Sequence, residues 1–231
     1  KGEINWLNLG VITLGGFLLS GASVTINQII ERAEDALMDR TMKRPIPLQI
    51  LSAKSAAIFA SVCLFVSILL LAWGSNLLTV LLSIISMILY SFVYTPLKKV
   101  GPIAVFVGAI PGALPPLLGW VANTGRISYE SLVIFGIQFI WQFPHFWAIA
   151  WVADDDYRKA GFKLLPSGGG KDHNTAIATV LASLCSLLGL MIGFAIKHGF
   201  DKSMVFSLVE EEIRESCKEF SDSYDIRIRD N

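Results

Sequence analysis

The chain of 231 residues is 53% hydrophobic and only 16% charged. Its mean hydropathy of +0.57 is too apolar for an ordinary soluble domain and points to an all-α, polytopic transmembrane helix bundle. The formal net charge is zero, so nothing pulls the chain toward nucleic acid, and the scattered Cys63, Cys185 and Cys217 argue against a disulfide framework or a metal knuckle.

The sequence opens at Lys1, with no charged n-region, apolar h-region and cleavage site. That reads as a fragment rather than as a protein lacking a targeting signal. A spanning helix needs roughly 20 mostly apolar residues, and six segments qualify: about 8–28, 55–73, 77–95, 102–121, 131–152 and 175–196. The links "GSN" (74–76) and "ANTGRISYE" (122–130) are short and nearly uncharged. The connections 29–54, 96–101 and 153–174 carry 5, 2 and 4 Lys or Arg, against Lys1 and Arg126 on the other side. The positive-inside rule therefore puts all three in the cytoplasm, and the alternation of six spans agrees, since it sets them on one face. A multi-pass membrane protein with its charged connections on the cytoplasmic side is expected. Pro111, Pro115 and Pro144 lie inside spans and predict kinks. From Phe200 the chain is polar, with nine acidic residues and no span. Residues 1–199 thus read as the membrane domain and 200–231 as a tail without a part in it.

Between the first two spans lies "NQIIERAEDALMDRTMKRPIP" (27–47), crowded with charge of both signs. Asn27, Glu31, Asp35 and Asp39 recur every four residues. Each helical step of four drifts only about 40°, so the first three share a face and Asp39 sits at its margin. Three carboxylates on one stripe repel each other and require a cation. Oxygen donors without His or Cys favour Mg²⁺, held by few carboxylates and completed by substrate phosphates. A solvated helix extension is the competing reading of the same spacing.

The link "YTPLKKVGP" (94–102) adds Lys98 and Lys99 and no acid, a pair that either anchors a helix end or meets a diphosphate. "WQFPHFWAIAWVADDDYRKAGFKLLP" (141–166) brings Asp154, Asp155 and Asp156 to the point where the fifth span leaves lipid, with Arg158, Lys159 and Lys163 behind them. Two acidic sites facing each other across one opening would hold two Mg²⁺ ions around a diphosphate. His145 lies inside the fifth span; an ionisable residue there is a functional candidate, and a hydrogen bond to a nearby carbonyl is the structural alternative.

The pattern N-x-x-x-[DE]-x-x-x-D in "NQIIERAED", the trailing "MDRTMKRP", the segment "YTPLKKVGPIAVFVGAIPGALPPLLGW", and "WQFPHFWAIAW" followed by "DY", "AGF" and "LP" resemble the UbiA superfamily of intramembrane prenyltransferases. The likeness is to its haem-farnesylating branch and covers about residues 5–195. It implies a bundle of nine transmembrane helices around a central cavity, with the acidic motifs at its cytoplasmic mouth. One helix is then expected before residue 8 and two after residue 196. It also implies transfer of the farnesyl group of farnesyl diphosphate to a vinyl group of heme b, with heme b as substrate and Mg²⁺ as cofactor. On that reading Asn27, Glu31 and Asp35 hold Mg²⁺ and diphosphate, and Asp156 opposes them. Asp35, Asp156 and Lys98 form the catalytic set. Arg40, Lys43 and Arg44 contact phosphate, while Tyr94 and His145 meet substrate. Only Asp156 matches the family's "DY" position well; Asp154 and Asp155 match weakly. The rings of Tyr94, Phe139, Trp141, Phe143 and Trp147 are near enough in sequence to stabilise a carbocation, although helix packing accounts for most of them.

Two alternatives compete. A prenyltransferase acting on an aromatic quinone precursor would share the first motif, but "WQFPHFW" and "GALPPLLGW" speak against it. A cation-conducting protein would carry acidic residues deep in its spans, and none occurs between 55 and 121.

Overall fold

The computed structural model describes residues 5–166 and 170–198, with side chains in the last helix given to Ser186 and at position 189. Among the described residues there are helices and turns and no strand. The elements are α1 (Trp6–Ile30), α2 (Arg32–Asp35), α3 (Ala53–Gly74), α4 (Leu77–Ile88), a π-helical turn (Leu89–Tyr94), α5 (Thr95–Leu97), α6 (Ile103–Thr124), α7 (Tyr129–Val152), α8 (Asp154–Lys159) and α9 (His173–His198). Five stretches are long and apolar enough to cross a membrane: Trp6–Ile30, Ala53–Gly74, Leu77–Leu97, Ile103–Thr124 and Tyr129–Val152. They coincide with the first five expected spans. The sixth, 175–196, falls on α9, where many side chains lie outside the described residues, as does the whole tail 200–231. The chain is a polytopic helical membrane protein. Bulky apolar side chains such as Phe17, Phe65 and Trp73 point outward, as a lipid-facing surface requires.

Local chemistry sets the helix ends. The side chains of Asn5, Ser52 and Asn76 each accept the N–H three residues on, at 3.1, 3.0 and 3.0 Å, which satisfies one of the orphan donors at a helix start. Ser128 and Ser131 form a reciprocal capping box at the start of α7. Gly125 ends α6 with φ 71°, a left-handed geometry that glycine adopts without strain.

The chain divides into two compact units, 1–179 and 180–231, and the first contains everything that positions the site. Within it α1 packs along α3. The buried stripe of α3 is Ala56, Ala60, Cys63, Ser67, Leu71 and Gly74, a small-residue face that lets backbones approach where lipid offers no hydrophobic drive. Ser67 Oγ donates to the Gly15 carbonyl at 2.7 Å. A Cβ on Gly74 would lie 2.8 Å from Val11 Cγ1. Asn76 Nδ2 donates to the Val121 carbonyl at 2.8 Å, and Gln142 Nε2 donates to the Gly112 carbonyl at 3.0 Å, tying α4 to α6 and α6 to α7.

The three charged connections converge at one end of this unit. Lys98 and Lys99, from 96–101, pair with Glu31 and Glu34 of the first connection. Lys159, from the third, pairs with Asp39 of the first at 2.6 Å. The Lys163 N–H donates to the Lys98 carbonyl at 2.9 Å. The common face read from the alternation of spans is therefore present.

Candidate active site

The helical spacing of the first motif holds as far as Asp35. The Glu31 N–H donates to the Asn27 carbonyl at 2.8 Å and the Asp35 N–H to the Glu31 carbonyl at 2.7 Å, so the three stay on one face although Glu31 itself closes α1. All three are buried, at 6%, 5% and 1% exposure, which excludes the solvated-extension reading for them. Asp39 is different. The chain leaves α2 after Asp35 and turns, so Asp39 is not on the stripe; it is exposed and faces Lys159.

Each buried carboxylate has a cation. Lys98 Nζ lies 2.7 Å from Glu31 Oε1 and donates to Oε2 at 3.0 Å. Arg44 Nη1 donates to Asp35 Oδ2 at 2.8 Å. Asp35 Oδ1 is buried with no hydrogen-bond partner. Thr41 Oγ1 donates to the Asp35 carbonyl at 2.9 Å, which curls the following turn back over the aspartate and brings Arg44 into reach. Burial lowers the Lys98 ammonium from the ordinary lysine range, partly offset by Glu31. Its Nζ also sits 4.9 Å from the Tyr94 ring centre and 5.4 Å from that of Phe162, within cation–π range.

The π-helical turn, where the sequence predicts an unbroken span, feeds this cluster. A π turn shifts the register of the helical residues after it and is frequent at functional sites. Thr95 Oγ1 donates to the Tyr90 carbonyl, five residues back, at 2.9 Å. The same oxygen accepts from Asn27 Nδ2 at 3.0 Å. Asn27 is thereby oriented by a residue that sequence reasoning did not single out.

A cavity of about 560 Å³ lies among α1, α4, α6 and α7, and its wall reaches Ser23 and Val24, one turn before Asn27. Its wall is mostly apolar, with Leu19, Met87, Pro111 and Phe146 among the lining groups and the hydroxyls of Ser20 and Ser83 among the few polar ones. Tyr90 lines it and stands 5.7 Å from Tyr94, the ring that Lys98 Nζ faces. Tyr94 keeps its place because α6 has Gly108 opposite it; a Cβ there would fall 2.6 Å from Tyr94 Cδ2.

The remaining expected site residues separate. His145 is exposed, does not line this cavity, and has its imidazole 6.0 Å from the Phe146 ring. Arg40 and Lys43 are exposed on the turn after α2. Asp156 reaches the first motif's loop rather than its carboxylates: its two oxygens accept the N–H groups of Asp39 and Arg40, each at 3.1 Å. Those bonds, first from Arg40 and then from Asp39, hold its carboxyl below the usual aspartate range. Asp154 is buried and pairs with Arg158 at 3.1 Å. Tyr94, Phe143 and Trp147 belong to one packed cluster, Phe139 stacks on Phe135 and meets Phe143 edge-on, and Trp141 is exposed. Packing accounts for most of these rings, as read from the sequence.

Among the described residues no group of three or more His, Cys, Asp or Glu could hold a metal ion by itself. The donors nonetheless suit a hard cation. Asp35 Oδ1 is a buried anionic oxygen awaiting a partner, beside Asn27 and Glu31, and a Mg²⁺-like ion needs only one or two carboxylates when substrate phosphates complete its shell.

The chain is thus a helical membrane protein with buried carboxylates paired to cations at one end and an apolar cavity among its helices. The chain belongs to the UbiA prenyltransferase family, which it matches over residues 1–208. Members of that family generally use a divalent metal to bind diphosphate. The chain is 50% identical to the protoheme IX farnesyltransferase of Cytophaga hutchinsonii over 81% of its own length and 65% of that protein's. It is 46% identical to that of Christiangramia forsetii over 82% of this chain and 62% of the other. It is also 41% identical to the mitochondrial protoheme IX farnesyltransferase of Arabidopsis thaliana over 67% and 37%. The chain thus spans 65% and 62% of the length of its first two relatives. No solved structure matches it.

Proposed function

We propose that the protein transfers the farnesyl group of farnesyl diphosphate to a vinyl group of heme b, giving heme O, with Mg²⁺ as the divalent ion. The observation that carries this is the two buried carboxylates, Glu31 paired with Lys98 and Asp35 with Arg44, set on the helical line that continues from the cavity-lining Ser23 through Asn27. The relatives' names supply the acceptor and the prenyl chain.

The apolar cavity takes the isoprenoid tail, which leaves the diphosphate among the charged groups. Asn27, Glu31 and Asp35 would hold Mg²⁺, which when bound neutralises charge on the departing diphosphate. Arg44 uses one donor on Asp35 and keeps others for phosphate oxygens. Lys98 adds a positive charge fixed in a low-dielectric site, where it counts most toward the developing anion. As the allylic C–O bond breaks, the farnesyl carbon becomes cationic beside the rings of Tyr90 and Tyr94. That carbon bonds to the terminal vinyl carbon, water adds to the inner one, and a proton leaves with the diphosphate. Residues 1–199 carry the chemistry and 200–231 take no part in it. The protein works in the bacterial inner membrane with the charged face in the cytoplasm.

Membranes bearing the protein, extended to the length of its relatives, would be given heme b and farnesyl diphosphate with Mg²⁺ or with a chelator. A more hydrophobic haem that elutes later and forms only with the metal is expected. Prenylation of an aromatic acid with haem left unchanged would overturn the assignment.

A further inference from the structure

We propose that Asp156 is a positioning residue that latches the loop after the first motif and acts on the site through that loop. Three observations carry this. First, each of its oxygens holds one backbone donor of the loop: Oδ1 accepts the Asp39 N–H and Oδ2 the Arg40 N–H, each at 3.1 Å. Lys159 Nζ lies 3.3 Å from Oδ1 and supplies the countercharge, while also holding Asp39. A carboxylate spanning two adjacent backbone donors fixes the direction of that peptide as well as its place. Second, the side chain is 15% exposed and lies against the loop, whereas Asp35 is buried under Thr41 and Arg44. Third, the contact is backed by packing. Met38, at 2% exposure, sits against Ala160 and Phe162 of the connection that carries Asp156.

The consequence runs through the chain. Asp39 and Arg40 lie between Asp35 and Arg44. A peptide pinned at 39–40 sets where Thr41 and Arg44 return to the Asp35 carbonyl and carboxylate. Asp156 therefore acts on the site through those groups. The aspartate of the second motif holds the first motif's arginine in register with its aspartate.

The kinetic arm of the test rests on the proposed haem farnesylation; the exchange arm does not. Hydrogen exchange of a peptide covering residues 37–42, measured on the protein in nanodiscs, should show the Asp39 and Arg40 amides protected. Asp156→Ala should expose both, with α3 peptides unchanged as the control for folding. Asp156→Asn, which keeps one acceptor oxygen, should lose protection at one amide only. In the haem assay Asp156→Ala should lose about 10–100-fold in turnover, the usual cost of removing a group that orients a ligand, and Asp156→Asn clearly less. Excess Mg²⁺ should restore neither. Unchanged exchange at 39 and 40 in Asp156→Ala would overturn the latch whether or not the protein farnesylates haem. Equal loss in the two variants, recovered by excess Mg²⁺, would return Asp156 to the metal.

Discussion

Replacing Lys98 by Met keeps most of the side chain's apolar stem and removes only its charge. In the folded protein that charge sits 2.7 Å from a carboxylate oxygen of Glu31, and the two side chains are only 12% and 7% exposed. The carboxylate left behind cannot be solvated in place. Breaking a buried pair by deleting one member costs about 3–5 kcal/mol, with roughly 0.5–1 kcal/mol more for the lost contact with the Tyr94 ring. At about 1.4 kcal/mol per factor of ten, the unfolding constant should rise more than a hundredfold. The double variant Lys98→Met/Glu31→Gln removes both charges and with them the desolvation cost, so it should regain most of that loss. Denaturant unfolding in mild detergent, followed by tryptophan fluorescence, measures all four corners of the cycle. If the two single losses simply add in the double variant, the charges are not coupled and the Lys98–Glu31 pair has been misread.

The topology predicts that cysteines introduced at Lys43 or Lys163 in a cysteine-free background resist an impermeant reagent in intact cells, while one at Asn123 reacts. Labelling at the first two with silence at the third would invert the orientation. Gly108→Ala puts a methyl 2.6 Å from Tyr94 and should cost about 1–3 kcal/mol by overpacking. Gly119→Ala, which meets nothing within 4 Å, should be close to neutral; equal losses would show that Tyr94 is not held by that gap.

Asn27, Glu31 and Asp35 were legible from sequence because a spacing of four survives the end of α1: the backbone keeps its i to i−4 bonds through Glu31. Asp39 obeyed the same spacing yet left the stripe, because the chain turns after Asp35 and its carboxylate finds Lys159 instead. Nothing local distinguishes the two cases. The pairing of Lys98 with Glu31 joins residues 67 apart, a contact no periodicity encodes, although a Lys pair beside an acidic motif was a fair hint. The π-helical turn was not legible either, since "LYSFVY" reads as ordinary span, and the Thr95–Asn27 bond beside it joins residues 68 apart. For Asp156 the residue was readable but its partner was not, because two backbone N–H groups leave no mark in a sequence.

The buried stripe of Asn27, Glu31 and Asp35 is proposed to bind the anionic head of a prenyl diphosphate. The most direct test of that role compares Asp35→Asn with Glu34→Gln in membranes supplied with heme b, farnesyl diphosphate and fixed Mg²⁺. Asp35 is 1% exposed with one oxygen unpartnered, whereas the neighbouring Glu34 pairs with Lys99 at the surface. Loss of a fixed electrostatic group of this kind costs about 10²–10³ in rate. Asp35→Asn should therefore lose haem farnesylation by at least that factor, with Glu34→Gln near wild type. Equal activity in the two variants would contradict the assignment of the stripe.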